Sequence, residues 1–326
     1  MTNLNAFIDD LNKYVKDSDV VVAMLASTAN ITEWLSTGNI VLDYILGGGL
    51  PAGRIVEIYG DESSGKSAIG AQVAAIAQQQ DITVLYIDTE HAISKDILAA
   101  VGVDVDNMLY TEPSTVEQVF NLIEGAATIS IKNGNKLLVI WDTIAATAAQ
   151  AELDADFGSS GMGIHARLMS QGLRKVNHIL RKAGAFTLFI NQERDKIGVT
   201  FGDKTATFGG RAVAFYASIR IRLDKGSKIQ DSSKEHVIGH STRMRCVKNK
   251  VSAPFREASM YIYFGSGVDD AETTFEYLKE QKIITGGAGG NWQLGELKFK
   301  KTTWEKTFTE YYDEIVNIVF GGGTDD

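Results

Sequence analysis

The chain has 326 residues, 44% of them hydrophobic and 22% charged, with a formal net charge of −9. This composition is typical of a globular protein, and the length allows more than one domain. No apolar run approaches the roughly 18 residues that a transmembrane helix needs, so a membrane partner is not expected. The single cysteine, Cys246, cannot form an intrachain disulfide. Because the first residues are acidic and amphipathic rather than basic and then apolar, we predict a cytoplasmic protein.

The charge is unevenly distributed along the chain. The overall negative charge argues mildly against a nucleic-acid partner. The segment from His165 to Arg222, however, has 11 Lys and Arg against 3 Asp and Glu. Within it, residues 191–210 (NQERDKIGVTFGDKTATFGG) follow an apolar, β-prone segment and match neither helical nor strand periodicity. A loop of this length in a compact domain usually has a function.

The N-terminal region predicts a helix followed by a short strand. Residues 4–15 place five apolar side chains on one helical face: Leu4, Phe7, Ile8, Leu11 and Val15. Residues 20–25 (VVVAML) predict the strand. Such an arm packs either on its own core or on another subunit, and the sequence favours neither.

Between residues 40 and 265, predicted strands alternate with predicted helices. Helices are predicted at 67–80, 94–100, 114–131 and 165–184, and strands at 53–60, 83–88, 136–142, 186–191, 217–223, 241–249 and 258–264. This order predicts an α/β fold with a mainly parallel central sheet covered on both faces. Beyond it, the sequence predicts a small α+β region with a hairpin and a final helix at 303–319. The predicted domains are an N-terminal arm (1–35), a core (36–267) and a small C-terminal domain (268–326).

The stretch GDESSGKS follows a predicted strand and opens a predicted helix, and it has the spacing of a phosphate-binding loop. In such a loop the backbone N–H groups and the helix N-terminus bind phosphate, a lysine contacts the β- and γ-phosphates, and a hydroxyl holds Mg²⁺. We therefore predict ATP and Mg²⁺ as ligands. The predicted nucleotide-binding residues are Gly60, Asp61, Glu62, Ser63, Ser64, Gly65, Lys66, Ser67, Ala68 and Asp142, of which Ser67 and Asp142 would hold the metal.

Acids end two further predicted strands. Asp142 ends KLLVIWD, so it is expected beside the phosphates, where it would hold Mg²⁺ through water. Glu90, in YIDTEHA, lies just past a strand tip, so we predict that it orients the water that attacks the γ-phosphate, with Asp88 as a supporting acid. The alternative for Glu90 is a capping acid for the following helix.

Several long motifs together resemble the bacterial RecA recombinase family. They are GRIVEIYGDESSGKS, YIDTEHA, LLVIWDT, MGIHARLMSQGLRK, FINQERDKIGVTFG, GGRAVAFYAS and VKNKVSAPF, in the family's order and spacing. The resemblance runs from about residue 40 to residue 267. It implies a RecA-type phosphate-loop ATPase core, an arm used in polymerisation, and helical filaments on single-stranded DNA that pair with double-stranded DNA.

The resemblance also implies two DNA-binding loops, at about residues 154–164 and 193–210. Met162 and Ile197 would wedge between groups of bases. The DNA backbone would be contacted by Arg167, Ser170, Arg174, Arg194, Lys196, Gly209, Gly210 and Arg211. Cations and backbone N–H groups suit contact with phosphates that is independent of sequence.

Further family roles fall on four residues. Gln192 would sense ATP and relay its presence to the second loop, and Lys248 and Lys250 would reach a neighbouring subunit's ATP. The predicted catalytic set is therefore Glu90, Lys66, Gln192, Lys248 and Lys250. Phe215 would lie at the subunit interface with the two lysines.

The sequence departs from the family pattern at several positions. Asp61 replaces a proline, and Glu193 and Asp195 replace apolar residues at the start of the second loop. The stretch 94–97 (SKDI) lacks the acid and the aromatic that often hold adenine. These differences indicate a divergent or phage-encoded member.

The sequence thus predicts an ATP-dependent recombinase that forms filaments on single-stranded DNA and exchanges strands. Two alternatives remain: a ring-forming helicase or motor on the same ATPase core, and a DNA-binding regulatory filament without strand exchange.

Overall fold

The computed structural model describes residues 4–15, 31, 33–156, 163–195 and 205–321. The chain divides into two compact units, residues 1–33 and residues 34–326. In the first unit, the predicted helix is present as α1 (Leu4–Val15). The predicted strand at 20–25 lies outside the described residues. No described helix combines the length and the apolar character that crossing a membrane requires.

The second unit consists of helices interleaved with strands, as the sequence predicts. Its helices are α2 (Ile40–Leu46), α3 (Lys66–Gln79), α4 (Lys95–Ala100), α5 (Val116–Asn133), α6 (Gln150–Leu153), α7 (Ile164–Ala183), α8 (Gly210–Tyr216), α9 (Asp270–Glu280), α10 (Trp304–Glu310) and α11 (Tyr312–Gly321). Its strands are β1 (Trp34–Leu35), β2 (Leu50–Pro51), β3 (Arg54–Gly60), β4 (Thr83–Asp88), β5 (Leu109–Thr111), β6 (Leu137–Asp142), β7 (Phe186–Asp195), β8 (Thr205–Thr207), β9 (Ile219–Gln230), β10 (Val237–Asn249), β11 (Glu257–Tyr263), β12 (Gly267–Asp269), β13 (Ile284–Gly286), β14 (Asn291–Leu294) and β15 (Leu297–Lys300).

One sheet of ten strands dominates the second unit. Its order is β12-β11-β10-β9-β3-β7-β6-β4-β5, with β8 paired to β7. The strands from β9 to β5 are parallel, and β10, β11 and β12 add an antiparallel edge. The predicted mainly parallel α/β fold is confirmed. The carboxyl ends of β3, β4, β6 and β7 therefore meet at one edge, where α/β proteins bind ligands.

Alternate residues of the central strands enter two separate cores. Leu138 and Ile140 of β6 pack into one cluster, whereas Val139 and Trp141 pack into the other. Because side chains alternate between the faces of a strand, each cluster covers one face of the sheet. The near-continuous apolar run KLLVIW follows from this burial on both sides.

The C-terminal part differs from its prediction in one respect. The hairpin is present as part of a small antiparallel sheet, β13-β14-β15. The single helix predicted at 303–319 is wrong, because the chain forms α10 and α11 with a break at Tyr311. The two helices have different neighbours, since α10 packs on α9 and β15 whereas α11 packs on α2. No glycine or proline marks the break in the sequence.

Candidate nucleotide and DNA site

The phosphate loop joins the carboxyl end of β3 to the N-terminus of α3, as predicted. Gly65 has a φ of 94°, and a Cβ there would lie 2.1 Å from Cδ1 of Ile262. Glycine is therefore required at this position by both backbone conformation and space. Most of the predicted loop residues line a cavity of about 620 Å³: Glu62, Ser63, Gly65, Lys66, Ser67 and Ala68.

Lys66 lies over the loop from which it starts. Its Nζ donates to the carbonyl oxygens of Gly60 (3.1 Å) and Asp61 (2.6 Å). Burial lowers the pKa of Lys66, while the nearby carboxylates of Glu90 and Asp142 oppose that shift. The ammonium is thus held at the mouth of the loop by backbone oxygens.

Asp142 ends β6 and is almost completely buried. Burial raises its pKa to about 6, against hydrogen bonds from Ser67 and Tyr86 that lower it. Tyr86 Oη donates to Asp142 Oδ2 (2.8 Å), and Oδ1 has no hydrogen-bond partner within the described part of the chain. Mg²⁺ is commonly bound through one or two carboxylates together with phosphate oxygens. A carboxylate with a free oxygen beside Ser67 and the phosphate loop fits that ion.

Glu90 and Gln192, predicted from separate motifs, are in direct contact. Gln192 Nε2 donates to Glu90 Oε1, and Thr143 Oγ1 donates to the same oxygen at 3.2 Å. Asp88 acts differently, because its Oδ1 accepts the backbone N–H groups of Glu90 (3.0 Å) and His91 (2.9 Å). Asp88 therefore shapes the turn that carries Glu90. Thr143 was not predicted, although its place directly after Asp142 was a signal.

The cavity continues past the phosphate loop into an apolar half. Its walls there include Ile93, Ile97, Val101, Ile262 and Phe264. Apolar walls around a few polar groups are typical of a pocket for a small organic ligand or cofactor. Ser94, in the stretch that departs from the family, caps α4 instead, because its side chain accepts the N–H of Ile97 (3.2 Å).

Two helix starts bring several predicted DNA contacts together. Gly209 and Gly210 open α8 with positive φ angles, and a Cβ on Gly210 would lie 3.6 Å from the Cβ of Ala166 in α7. Arg167 and Arg174 are exposed on α7, and Arg211 is exposed on α8. The structure thus places Arg167, Gly209, Gly210 and Arg211 on adjoining helix ends, with Ser170 and Arg174 about one and two turns beyond Arg167 on α7. Met162, Lys196 and Ile197 lie outside the described residues.

The second predicted loop, at 193–210, contains regular structure that the sequence did not predict. Strand β7 continues to Asp195 and pairs antiparallel with β8, so the ends of the loop form a hairpin stem. The guanidinium of Arg194 lies 3.7 Å from the centroid of the Phe208 ring, across this stem. The expectation failed because mixed charges on a two-stranded stem do not alternate with apolar residues as buried strands do.

A buried polar network joins the stem to the sheet. Asn191 Nδ2 donates to Glu57 Oε1 (2.9 Å) and to the carbonyl of Phe208 (3.0 Å). Arg220 Nε donates to Glu57 Oε2, and Glu57 is fully buried. We did not predict these residues, although an acid within the apolar strand GRIVEIYG and the arginines of IRIRL were signals for a buried pair.

Lys248, Lys250 and Phe215 form one cluster at the end of β10. Lys248 Nζ donates to the carbonyls of Ala214 (2.6 Å), Phe215 (3.2 Å) and Ala217 (2.6 Å), and so caps α8. Burial lowers the pKa of Lys248 to about 8, and the charges of Lys250 and Arg220 add to that effect. Lys250 Nζ lies 5.7 Å from the centroid of the Phe215 ring, which is 68% exposed.

The family model of the RecA N-terminal domain matches residues 2–269 of this chain. That range includes the phosphate loop, Glu90, Asp142, the hairpin stem and the lysines of β10. The chain belongs to the RecA family.

Proposed function

We propose that this chain is an ATP- and Mg²⁺-dependent, DNA-stimulated recombinase that acts in the cytoplasm. It forms helical filaments on single-stranded DNA and catalyses pairing and strand exchange with homologous double-stranded DNA. The observation that supports this most is the position of Gln192. Its side chain contacts Glu90 in the phosphate pocket, and the DNA hairpin stem begins at the next residue.

In this proposal each nucleotide-site group has one task. Lys66 and the N–H groups of the loop bind the β- and γ-phosphates, and Ser67 and Asp142 hold Mg²⁺, which supplies charge neutralisation at the phosphates. Glu90 accepts a proton from the attacking water and fixes its direction. Gln192 and Thr143 hold the Glu90 carboxylate, so its position depends on what occupies the γ-phosphate site.

The DNA contacts are proposed on the exposed cations at the two helix starts and on the stem. Arg167, Arg174, Arg194 and Arg211 are exposed and bind backbone phosphates, and Met162, Lys196 and Ile197 complete the loops. Arg194 stacks on Phe208, so its guanidinium is oriented before DNA binds. Binding of this kind weakens with salt, by about 0.7 in the log–log slope for each phosphate neutralised on a single strand.

Self-association is supported by exposed apolar side chains. Phe215 is 68% exposed, and Leu109 and Ile129, at the opposite end of the sheet, are 54% and 59% exposed. Large exposed apolar groups of this kind mark interaction sites. In the proposal Lys250 reaches the ATP of the next subunit, and Phe215 lies at the subunit interface beside it. For Lys248 to reach that ATP, its Nζ must first release its hydrogen bonds to three carbonyl oxygens of its own chain.

Contact with double-stranded DNA is proposed for the C-terminal hairpin. Lys298 and Lys300 are exposed there. Lys301 is less suited, because its Nζ pairs with Glu272 and lies 3.5 Å from the centroid of the Phe275 ring. The arm (1–35), core (36–267) and C-terminal domain (268–326) remain our proposed functional division.

The test combines ATP hydrolysis with electron microscopy. Circular single-stranded DNA should stimulate ATP hydrolysis, and with a non-hydrolysable ATP analogue it should yield helical filaments that pair with homologous duplex. Lys66→Ala should abolish both activities. Rings with hydrolysis but no pairing would indicate a helicase or motor, and filaments without pairing would indicate a regulatory DNA-binding protein.

A further inference from the structure

Four charged side chains of alternating sign run across three strands at the carboxyl edge of the sheet. Arg222 NH2 lies 3.1 Å from Glu193 Oε2, and Arg222 Nε lies 3.1 Å from Asp224 Oδ1. Arg245 NH2 lies 2.8 Å from Asp224 Oδ2. We call Glu193, Arg222, Asp224 and Arg245 the charge ladder. It joins β7, β9 and β10.

The ladder crosses a gap in the sheet. Strand β3 lies between β7 and β9, but it ends at Gly60, which pairs with Gln192 on one side and Leu223 on the other. Beyond Gly60 the chain turns into the phosphate loop, so no backbone hydrogen bonds from β3 hold β7 and β9 together there. Arg222 pairs with Tyr59, one residue before β3 ends, and its side chain reaches Glu193, one residue beyond the end of β3, where the DNA hairpin stem begins.

Glu193 is an unusual residue at this place. Its side chain is only 6% exposed, whereas that of Arg222 is 32% exposed. A carboxylate that is largely removed from solvent destabilises the folded state unless a cation lies beside it. It also directly precedes Arg194, for which we propose a contact with DNA phosphate. Without a partner, the charge of Glu193 would repel the phosphates that Arg194 attracts.

We propose that Arg222 is a positioning residue for DNA binding. It neutralises Glu193 and fastens the first residue of the hairpin stem to the sheet, and it does not itself contact DNA. Asp224 lies at ion-pair distance from the guanidinium of Arg222, and Arg245 pairs with Asp224 in turn. This inference rests on the proposed DNA-binding function of the hairpin.

The test separates this role from direct phosphate contact by removing both partners. Arg222→Gln removes the Arg222 cation from beside the Glu193 charge, and we expect affinity for oligo(dT), measured with a non-hydrolysable ATP analogue, to fall about tenfold, equivalent to roughly 1.4 kcal/mol. Glu193→Gln/Arg222→Gln removes the charge as well, and affinity should return to within about twofold of wild type. Lys228→Gln, which removes an exposed cation from the same strand, is the matched control.

Salt titration provides a second, independent readout. If Arg222 acts through Glu193, the salt slope of Glu193→Gln/Arg222→Gln equals that of wild type. If Arg222 binds a phosphate, the slope falls by about 0.7 and the double variant stays as weak as Arg222→Gln. A reduced salt slope or an unrestored affinity of the double variant overturns the inference. A wild-type protein that binds ATP but no single-stranded DNA overturns the proposed function, and this inference with it.

Discussion

The side chain of Glu90 is held by two neighbours before any water is positioned. Gln192 Nε2 and Thr143 Oγ1 both donate to its Oε1. Glu90→Gln keeps the shape of the side chain but removes the proton acceptor. We expect ATP hydrolysis to fall by about 10²–10⁴ while ATP binding persists. Single-turnover hydrolysis and equilibrium nucleotide binding check this, and filaments on single-stranded DNA should last longer. A variant that cannot bind ATP would show that Glu90 is structural.

Gln192 offers a sharper test, because its side chain lies in one site and its backbone leads into the other. Movement of one amide can order or release the adjoining hairpin, as in other nucleotide switches. Gln192→Ala should bind ATP nearly as wild type does, yet its affinity for single-stranded DNA should be the same with ATP as with ADP. Arg194→Ala should keep the nucleotide dependence but lower affinity and flatten the salt slope. DNA binding by both variants with each nucleotide decides between these outcomes.

At the scale of residues, the sequence predicted the groups with fixed spacing and missed their partners. Lys66 and Ser67 follow from the spacing of the phosphate loop, and Asp142 follows from the apolar strand KLLVIWD that it ends. Tyr86, which donates to Asp142, and Thr143, which donates to Glu90, belong to buried strand and turn positions that many residues could fill. Which side chains meet through tertiary packing does not follow from motif spacing, even where a residue such as Thr143 stands next to a motif.

At the scale of elements, two lysines at the end of β10 that look alike in the sequence have different surroundings in the structure. Lys248 caps three carbonyls of α8 and its linker, whereas Lys250 lies beside the exposed Phe215. Lys248→Ala should therefore destabilise the isolated subunit, by roughly 1–3 kcal/mol, since the carbonyls lose a charged donor. Lys250→Ala should leave unfolding unchanged. It should lose DNA-stimulated ATP hydrolysis, because its proposed partner lies in another subunit.

Denaturant unfolding and nucleotide binding by dilute subunits measure both effects. Lys248→Arg is the control, because arginine keeps the charge and can donate to several carbonyls. If Lys250→Ala weakens nucleotide binding by isolated subunits, the lysine acts within its own chain. If Lys248→Ala is as stable as wild type, the cap contributes nothing.

Elements with strong periodicity were predicted well, and those defined by pairing were not. The long helix α7 and the buried strands β4 and β6 lie within a few residues of their predictions. The extension of β7 to Asp195 depends on pairing with β8, ten residues later in the chain. The separation of α10 from α11 depends on their different neighbours. Both outcomes are decided by tertiary contacts.

At the scale of the whole molecule, the C-terminal part is attached to the core through a partly buried acid. Asp270, the first residue of α9, accepts the N–H of Ile40 (2.8 Å) at the start of α2. Burial raises the pKa of Asp270 to about 7, with the charges of Asp43 and Asp269 as smaller causes. Burial likewise raises the pKa of Asp43 to about 6. The junction therefore contains two carboxyl groups that take up protons more readily than they would in the unfolded chain.

This predicts how stability depends on pH. A folded-state pKa above the ordinary 3.8 means that the native protein binds more protons than the unfolded chain between about pH 4 and pH 7. The contribution of Asp270 to the free energy of unfolding is thus complete below pH 3.8 and is lost as pH rises through about 7.

The substitution Asp270→Asn isolates this effect, because the amide keeps an oxygen that can accept the Ile40 N–H but cannot titrate. The stability of wild type relative to Asp270→Asn should therefore fall between about pH 4 and pH 7 and level off above that, by about 1–3 kcal/mol, given roughly 1.4 kcal/mol for each pKa unit and partial exposure. Urea unfolding of both proteins across this range measures the difference. Asp270→Ala, which also loses the hydrogen-bond acceptor, should have a lower free energy of unfolding than Asp270→Asn at every pH. A constant difference in the free energy of unfolding between wild type and Asp270→Asn would show that Asp270 does not titrate in this range.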